Sequence, residues 1–310
     1  MSGAIIHWAG HLALVLVASP LLFGIISRTK ARVAGRTGPP LFQPYFDLIK
    51  LFRKGAVYSR TTTGVFRAGP VVAFAAILSS ALIVPFHGGR APLSFQGDLV
   101  LFAYFLGLAR FFMIVAALDT GSAFEGMGAS REASFSCLAE PAVFLSFIAL
   151  ARASGSFSMS EFLSVGLIQA WPSAAGPALV LVVASFVLVL LAENARIPVD
   201  DPATHLELTM IHEVMVLDHS GPDFGFLQYA AAAKLLVFGA ILVHIVHPVR
   251  SAGFLPFLAA MGLGLALVAI LIGLIESSMA RLRLARVPQY LVAANVLSGF
   301  AVLLTLAPHS

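Results

Sequence analysis

Ionisable side chains occur inside long apolar segments of this sequence, where charges are rare. The five are Arg110, Glu140, Glu193, Lys234 and Glu276. A charged group costs about 2.5–3.5 kcal/mol to place in bilayer hydrocarbon, so such groups usually face protein or water and have a role. Burial raises the pKa of a carboxyl group and a nearby cation lowers it, which can bring proton exchange near neutral pH. These residue types therefore indicate proton transfer within a membrane.

The same residues could instead have a purely structural role. Glu140 could pair with Lys234 or Arg110, and the ion pairs would then only hold helices together. Burying unequal numbers of opposite charges for packing alone is unfavourable, which favours proton transfer. With a helix rise of about 1.5 Å per residue, Arg110, Glu140 and Lys234 are each expected about 12–14 Å from one end of their helix. Two further carboxylates, Asp119 and Glu132, are expected at the mouths of their segments and complete the proton-transfer candidates.

The composition places these residues in a membrane protein. The 310-residue chain is 59% hydrophobic and 11% charged, with a mean hydropathy of +0.94. Soluble domains have about 25% charged residues, so a water-soluble enzyme is excluded. Cys137 is the single cysteine, which excludes an internal disulfide, a CxxC zinc site and a four-thiolate iron–sulfur cluster. No metal and no cofactor is expected on this chain, and nucleic acid is not an expected partner.

Windows of about 20 apolar residues predict an all-α, polytopic fold with eight transmembrane helices in one domain, 1–310. Continuous apolar runs, rather than alternating ones, favour helices over a barrel. The predicted spans are 4–27, 65–86, 97–118, 131–153, 174–195, 225–247, 252–276 and 288–307.

Lys and Arg residues predict the orientation, because cytoplasmic loops carry an excess of them. Most occur between spans one and two, with others in the third, fifth and seventh connections, whereas the opposite side has Arg90, Arg152 and Arg250. Both termini are therefore expected outside, and the long loops 28–64 and 196–224 are expected in the cytoplasm. The first loop is basic and the second acidic, which indicates mutual docking or a protein partner. Anionic lipid explains the basic loop alone equally well.

Three histidines recur every seven residues in the second long loop: His205, His212 and His219. A metal site with Glu213 or Asp218 is conceivable, but the spacing of a zinc protease is absent. A stripe facing solvent or a partner is the favoured interpretation. His244 and His247, at the outer end of the sixth span, are expected to meet lipid headgroups.

Several motifs resemble a known family. Residues 36–40 (Arg-Thr-Gly-Pro-Pro) and 193–200 (Glu-Asn-Ala-Arg-Ile-Pro-Val-Asp) resemble loops of membrane subunit 1 of NADH:quinone oxidoreductase, respiratory complex I. Residues 118–122, 128–132 and 140–141 resemble a sister branch more closely. That branch comprises the membrane subunits of energy-converting [NiFe] hydrogenases, namely formate hydrogenlyase subunit 4 and hydrogenase-4 component C.

The resemblance implies a non-catalytic integral subunit of an oxidoreductase complex in the bacterial cytoplasmic (inner) membrane. Its partners would be the hydrogenase large subunit, the small Fe–S subunit and antiporter-like membrane subunits, and the Ni–Fe and Fe–S centres would belong to these partners. It would couple electron transfer to proton or sodium translocation, with Glu140, Glu193 and Glu276 on a buried carboxylate route. The residues expected to dock the peripheral arm are Arg36, Gly38, Pro39, Gln43, Asp47, Lys50, Arg196, Pro198, Asp200, Glu207, Glu213 and Asp218.

The sequence also departs from complex I proper. Ala203 and His205 stand where complex I has an acidic series, of which Glu207 is kept, and the first-loop motif is shortened to 38–40. Both regions form the quinone chamber in complex I, so the departures favour the hydrogenase branch. The alternatives are subunit 1 of a quinone reductase, a purely structural anchor and a stand-alone transporter. The lack of an internal repeat disfavours the transporter.

Overall fold

The computed structural model describes residues 2–86, 89–163, 167–201, 209–247 and 254–306. Within these residues all regular structure is helical, and eight helices are long and apolar enough to cross a membrane. The predicted all-α, eight-span architecture is confirmed. The long helices are α1 (Ser2–Val33), α3 (Gly64–Ala81), α4 (Asp98–Asp119), α5 (Ala123–Ser154), α8 (Gly176–Glu193), α9 (Gly221–Val246), α10 (Phe254–Ser278) and α11 (Val287–Leu306).

Shorter helices occur in the connections. They are α2 (Gln43–Phe52), α6 (Met159–Glu161) and α7 (Leu167–Ala170), with 3₁₀ turns at Glu213–Val216 and Leu284–Arg286. We call the end of the bundle where α1, α4, α8 and α10 end, and where α3, α5, α9 and α11 begin, the loop end. It carries both long loops, whose contact includes a hydrogen bond from the Val57 amide to Ser220 Oγ (3.1 Å).

Several helices do not begin or end where the predicted spans do. Helix α1 continues to Val33 rather than 27, α3 ends at Ala81 rather than 86, and α5 begins at Ala123 rather than 131. A hydropathy window detects the part of a helix that matches hydrocarbon, whereas backbone hydrogen bonds continue the helix into polar sequence. Arg131, which was expected in the third connection, consequently lies inside α5.

Helix α9 forms the centre of the bundle. In the most apolar window of α9, 78% of residues are buried, compared with 22% in the corresponding window of the α11 span. Helices α1, α3, α8 and α10 all contact α9. Phe238 of α9 lies against Phe186 of α8 and Phe102 of α4, with ring centroids 5.7 and 6.4 Å apart. The large apolar side chains of this core fix the rotation of each helix and hence the direction of its charged residues.

Helix α2 lies between α1 and α9 and returns towards the bundle interior. The Tyr45 hydroxyl donates to the Val17 carbonyl in the middle of α1, and Phe52 contacts Phe226 of α9. The approach to α1 is close: a Cβ at Gly24 would lie 2.0 Å from the Leu41 carbonyl oxygen, so this position requires glycine. Helix α2 thereby forms one wall of a cavity described below.

Candidate functional site

Arg110 of α4 stands at the centre of a buried group of carboxylates. Its Nε donates to Glu132 Oε1 (3.1 Å) and its Nη2 to both carboxylate oxygens of Glu193 (2.6 and 2.8 Å). Its Nη1 donates to Glu140 Oε1. Glu132 and Glu140 come from α5 and Glu193 from the last residue of α8, so one guanidinium joins three helices.

Lys234 of α9 supplies a second cation. Its ammonium donates to Glu193 Oε2 at 2.7 Å, so Glu193 bridges Lys234 and Arg110. The side chains of Glu193 and Arg110 are 4% and 9% exposed, which removes them almost entirely from water. Charge-assisted hydrogen bonds in such an environment are short and strong, and each partner left alone would be a costly buried charge.

His212 closes the group from the loop end. Its Nε2 lies 3.1 Å from Glu132 Oε2, and its Nδ1 lies 3.7 Å from Asp200 Oδ2. Burial lowers the pKa of His212, but attraction to Glu132 and Asp200 outweighs burial, so the pKa is raised from its ordinary value. The expectation that His212 belongs to a stripe facing solvent or a partner is wrong. We call Arg110, Glu132, Glu140, Glu193, Lys234 and His212 the Arg110 cluster.

The permanent charges of the Arg110 cluster do not cancel. Three carboxylates face two permanent cations, Arg110 and Lys234, so one negative charge remains when His212 is neutral. An uncompensated charge in a low-dielectric interior is unfavourable, and a proton on His212, whose pKa is raised, would neutralise it. His212 is therefore the member of the cluster at which a proton would balance the charge.

Glu276 of α10 lies in a separate ion-pair group. Its Oε2 lies 2.8 Å from Lys30 Nζ and its Oε1 lies 3.4 Å from Arg196 Nη1. Arg196 also covers the ring of Phe23 at 4.6 Å. We call Lys30, Arg196 and Glu276 the Glu276 group. The structure thus brings four of the five intramembrane ionisable residues together and places the fifth with two cations of its own.

A cavity of about 680 Å³ connects these charges with the loops. Its walls come from α1, α2, α3, α4, α8, α9 and the second long loop, and the charged residues on them include Arg110, Glu193, Arg196 and Lys234. Lys50 of α2 lines it as well. A second cavity of about 20 Å³ lies among Glu132, Glu193 and His212, which is the size of a single water molecule. The Arg110 cluster is therefore reachable by small polar species.

The residues predicted to dock a peripheral arm separate into two sets. Most of those in the first loop are exposed, namely Arg36, Gly38, Pro39, Asp47 and Lys50. Gln43 is partly exposed, and its side-chain amide donates a hydrogen bond to Asp47 (2.9 Å). In the second loop Asp218 is exposed and Glu213 partly exposed, while Arg196, Pro198 and Asp200 are buried within this chain. Glu207 and His205 lie outside the described residues.

Asp200 organises the second loop from inside. Its Oδ2 accepts hydrogen bonds from the amides of Ile211 (3.2 Å) and His212 (3.0 Å), and its Oδ1 lies 3.0 Å from Arg281 Nη2. Burial raises the pKa of Asp200, but bonding to His212 and attraction to Arg281 lower it below its usual value. Asp200 therefore positions His212 against Glu132.

Asp119 lies at the end of α4 and caps the neighbouring helix α3. Its carboxylate accepts from the Thr63 amide (2.7 Å), the Thr63 hydroxyl (2.9 Å) and the Phe66 amide (3.2 Å). These amides are the unpaired donors of a helix N-terminus. Arg110 is about 13 Å away along the same helix, so Asp119 is not part of the Arg110 cluster.

The surroundings of His219 and His244 also differ from those expected. His219 is buried and stacked on Phe66, with ring centroids 3.9 Å apart, and burial lowers its pKa to about 4. His244 is buried with Nε2 2.8 Å from the Pro85 carbonyl, so it does not meet headgroups. His247 is exposed. In the described part of the chain, no group of three His, Cys, Asp or Glu residues could hold a metal ion.

Sequence reasoning misses His212, Lys30 and Arg281 as partners of the buried carboxylates. His212 and Arg281 lie in connections, where no helical periodicity predicts which way a side chain points. Lys30 is expected in the first loop, but it belongs to the last turn of α1. The buried carboxylate of Glu125, which accepts from the Asp218 amide (3.0 Å), is missed because α5 begins earlier than predicted.

Comparison with known proteins covers nearly the whole chain. The family described as NADH dehydrogenase matches residues 6–307. Formate hydrogenlyase subunit 4 of Escherichia coli (strain K12) is 35% identical over 301 residues, 94% of each chain. Hydrogenase-4 component C of the same organism is 33% identical over 253 residues, 82% of this chain and 76% of the relative.

More distant relatives follow. A subunit of the NADH-quinone oxidoreductase of Rubrobacter xylanophilus is 30% identical over 208 residues, 66% of this chain and 62% of that protein. Among solved structures, a chain of the membrane-bound sulfane sulfur reductase, an archaeal respiratory membrane complex, superposes with a TM-score of 0.83. It is 20% identical and the match covers 98% of this chain and 99% of the other, so it shows a common fold.

Proposed function

The chain belongs to the NADH dehydrogenase family of complex I subunit 1-like membrane proteins, and we propose that it is the membrane subunit of an energy-converting [NiFe]-hydrogenase complex. In this proposal it anchors a peripheral redox arm at the loop end and couples electron transfer there to proton or sodium translocation. The Ni–Fe and Fe–S centres belong to the hydrogenase large and small subunits, and antiporter-like subunits adjoin it in the bacterial inner membrane.

The observation that carries the proposal is the Arg110 cluster with its unequal charges. A group that only holds helices together is most stable when its charges cancel, as a single pair does. Here three carboxylates share Arg110, and one of them, Glu193, also pairs with Lys234. His212 of the second long loop, whose pKa is raised, contacts Glu132. This is the arrangement that a proton-exchanging site needs.

Coupling would be electrostatic. Charge that appears on a redox centre docked above the loop end changes the potential at His212 and Glu132 first, because they face that end. Two unit charges in a medium of effective dielectric constant 20 interact by about 1 kcal/mol at 15 Å, which is close to one pKa unit. A reduction step would thus favour proton uptake by the cluster, and its reversal would release the proton towards Glu140.

The test is the isosteric variant Glu140→Gln in the intact complex. We expect the complex to assemble and to keep its electron-transfer activity, while ion translocation per electron falls in reconstituted vesicles. Glu161→Gln is the matched control, since Glu161 forms an exposed ion pair with Arg90 (3.0 Å) at the opposite end. Translocation equal to that of the control would contradict the proposal.

A second function is favoured by the cavity. Its volume of about 680 Å³ is within the range of small-molecule sites, so a quinone-reductase subunit is the alternative. A quinone-analogue inhibitor separates the two. Inhibition of electron transfer would support the alternative, and an unaffected rate would support the hydrogenase-type subunit.

A further inference from the structure

Arg281 lies outside the membrane-spanning helices, in the connection between α10 and α11, and yet it binds a buried carboxylate. Its Nη2 is 3.0 Å from Asp200 Oδ1, and its side chain is 17% exposed, compared with 1% for Asp200. The same guanidinium donates to the hydroxyl and carbonyl oxygens of Thr209 in the second long loop. The Leu282 amide donates to the Pro198 carbonyl (2.9 Å). The α10–α11 connection is therefore bound to the second long loop through three of its residues.

Asp200 lies between Arg281 and His212. Its Oδ1 faces the guanidinium, whereas its Oδ2 accepts hydrogen bonds from the amides of Ile211 and His212 and lies 3.7 Å from His212 Nδ1. The Asp201 amide donates to Oδ1 as well (3.0 Å). Three backbone amides thus fix the carboxylate in place. The loss of Arg281 would therefore change the charge around this carboxylate more than its position.

Arg281 is the outer end of a chain of side chains whose charges alternate in sign. From Arg281 the contacts run to Asp200 (3.0 Å), His212 (3.7 Å), Glu132 (3.1 Å), Arg110 (3.1 Å), Glu193 (2.6 Å) and Lys234 (2.7 Å). Each ion in such a chain is stabilised by its neighbours and opposed by the ions beyond them. Arg281 therefore partly cancels the attraction that Asp200 exerts on a protonated His212.

The charged groups around His212 come from several elements. They are Glu132 and Arg131 on α5, Asp200 and Glu213 on its own loop, Glu193 on α8, Lys234 on α9 and Arg110 on α4. Burial lowers the pKa of His212, and attraction to Glu132 and Asp200 raises it above its ordinary value. Of the two attracting carboxylates, Asp200 is paired with a residue outside the membrane-spanning helices. The proton on His212 can therefore be influenced from the α10–α11 connection.

We propose that Arg281 is a positioning residue that, through Asp200, lowers the affinity of His212 for its proton. Arg281 does not carry the proton. It partly neutralises the carboxylate that faces the imidazole, so that His212 releases a proton as well as binding one. A movement of the α10–α11 connection away from the second long loop would strengthen proton binding at His212 without a change in the Arg110 cluster. The inference rests on the proposed function for the role of this proton in ion translocation.

The test compares Arg281→Gln with Asp200→Asn in the intact, purified complex. Exchange of the imidazole C2 hydrogen for deuterium, measured by mass spectrometry of peptides, follows the protonation of each histidine separately as the pH is varied. We expect the midpoint at His212 to move to higher pH in Arg281→Gln, because Asp200 then acts with its full charge. We expect it to move to lower pH in Asp200→Asn, because the attracting carboxylate is gone. Each shift should be about one pH unit.

Two variants of the α10–α11 connection are controls. Arg281→Lys keeps the charge and should keep the midpoint of the wild type. Arg283→Gln removes an exposed charge from the same connection and should leave the midpoint at His212 unchanged. The exchange of His244, which is buried among the helices, should match that of the wild type wherever the bundle is intact.

The opposite directions of the two shifts separate the proposal from a purely structural role. If the loop merely loosened, both variants would move the midpoint at His212 in the same direction, towards that of a free histidine, and this result would overturn the proposal. An unchanged midpoint in Arg281→Gln, or an equal shift in Arg283→Gln, would overturn it as well. The exchange does not depend on ion translocation. Opposite shifts together with normal translocation in Glu140→Gln would therefore retain the role of Arg281 and reject the proposed function.

Discussion

The Arg110 cluster and the Glu276 group have opposite charge balances. The first has three carboxylates for two permanent cations, and the second has one carboxylate for two cations, Lys30 and Arg196. The side chain of Glu276 is fully buried and lies between two cations. The burial of a carboxylate is thus not enough to identify a proton-transfer site. The number of cations that contact the carboxylate must also be considered, because each cation favours its charged form.

The largest effect is expected for Arg110→Met. This change leaves three carboxylates without their shared donor, so we expect a loss of about 3–5 kcal/mol of stability or failure to assemble. The measurement is the thermal midpoint and yield of the purified protein. Arg152→Gln is the control, because Arg152 is exposed and makes one long bond to the Thr305 carbonyl (3.4 Å). Equal stability of both variants would contradict the role of Arg110 as the shared partner of the three carboxylates.

A smaller effect is expected for Glu276→Gln. Lys30 is 33% exposed and can turn to water, but Arg196 remains buried without its partner, so we expect a loss of about 1–3 kcal/mol. The segment after Asn194 should then be cleaved faster by protease. Ion translocation should fall less than in Glu140→Gln. If the two variants lose translocation equally, Glu276 belongs to the same proton route and the comparison above fails.

His212→Gln tests the proton directly through pH. The raised pKa of His212 stabilises the fold fully below the ordinary histidine pKa of about 6.5, and this contribution is lost as pH rises through the raised pKa. The wild type should therefore lose stability on going from pH 6 to higher pH, and the variant should lose less, with a difference of about 1.5 kcal/mol. Parallel pH profiles would show that His212 does not hold the proton.

Asp119→Ala should have the smallest effect. It removes the cap of α3 and should cost about 1 kcal/mol, while ion translocation stays normal. Thermal unfolding and vesicle assays on the same preparation measure both. A loss of ion translocation without a loss of stability would indicate that Asp119 takes part in proton transfer.

The eight spans and the unusual residues within them could be predicted from the sequence, because hydropathy and the cost of charge in hydrocarbon are local properties. The contact of Glu132, Glu140 and Glu193 with one guanidinium group could not be predicted. Each residue turns a helix by about 100°, so a boundary error of a few residues leaves the direction of a side chain undetermined. Packing around Phe238 and its neighbours sets that direction.

The role of His212 could not be predicted from the sequence either. It depends on two backbone amides that bind Asp200 across a loop, and loop geometry of this kind has no periodic signature. The predicted orientation, with both termini outside, remains a prediction. Reaction of an external, membrane-impermeant thiol reagent with a cysteine introduced beside Arg90 would test it.

The absence of a side chain at Gly24 fixes how closely the segment that leads into α2 approaches α1. The carbonyl of Leu41, two residues before α2, occupies the space that a Cβ at Gly24 would need. We expect any substitution at Gly24 to displace this segment, and with it the wall that α2 contributes to the large cavity. The shape of the charged interior therefore depends on a residue that carries no charge.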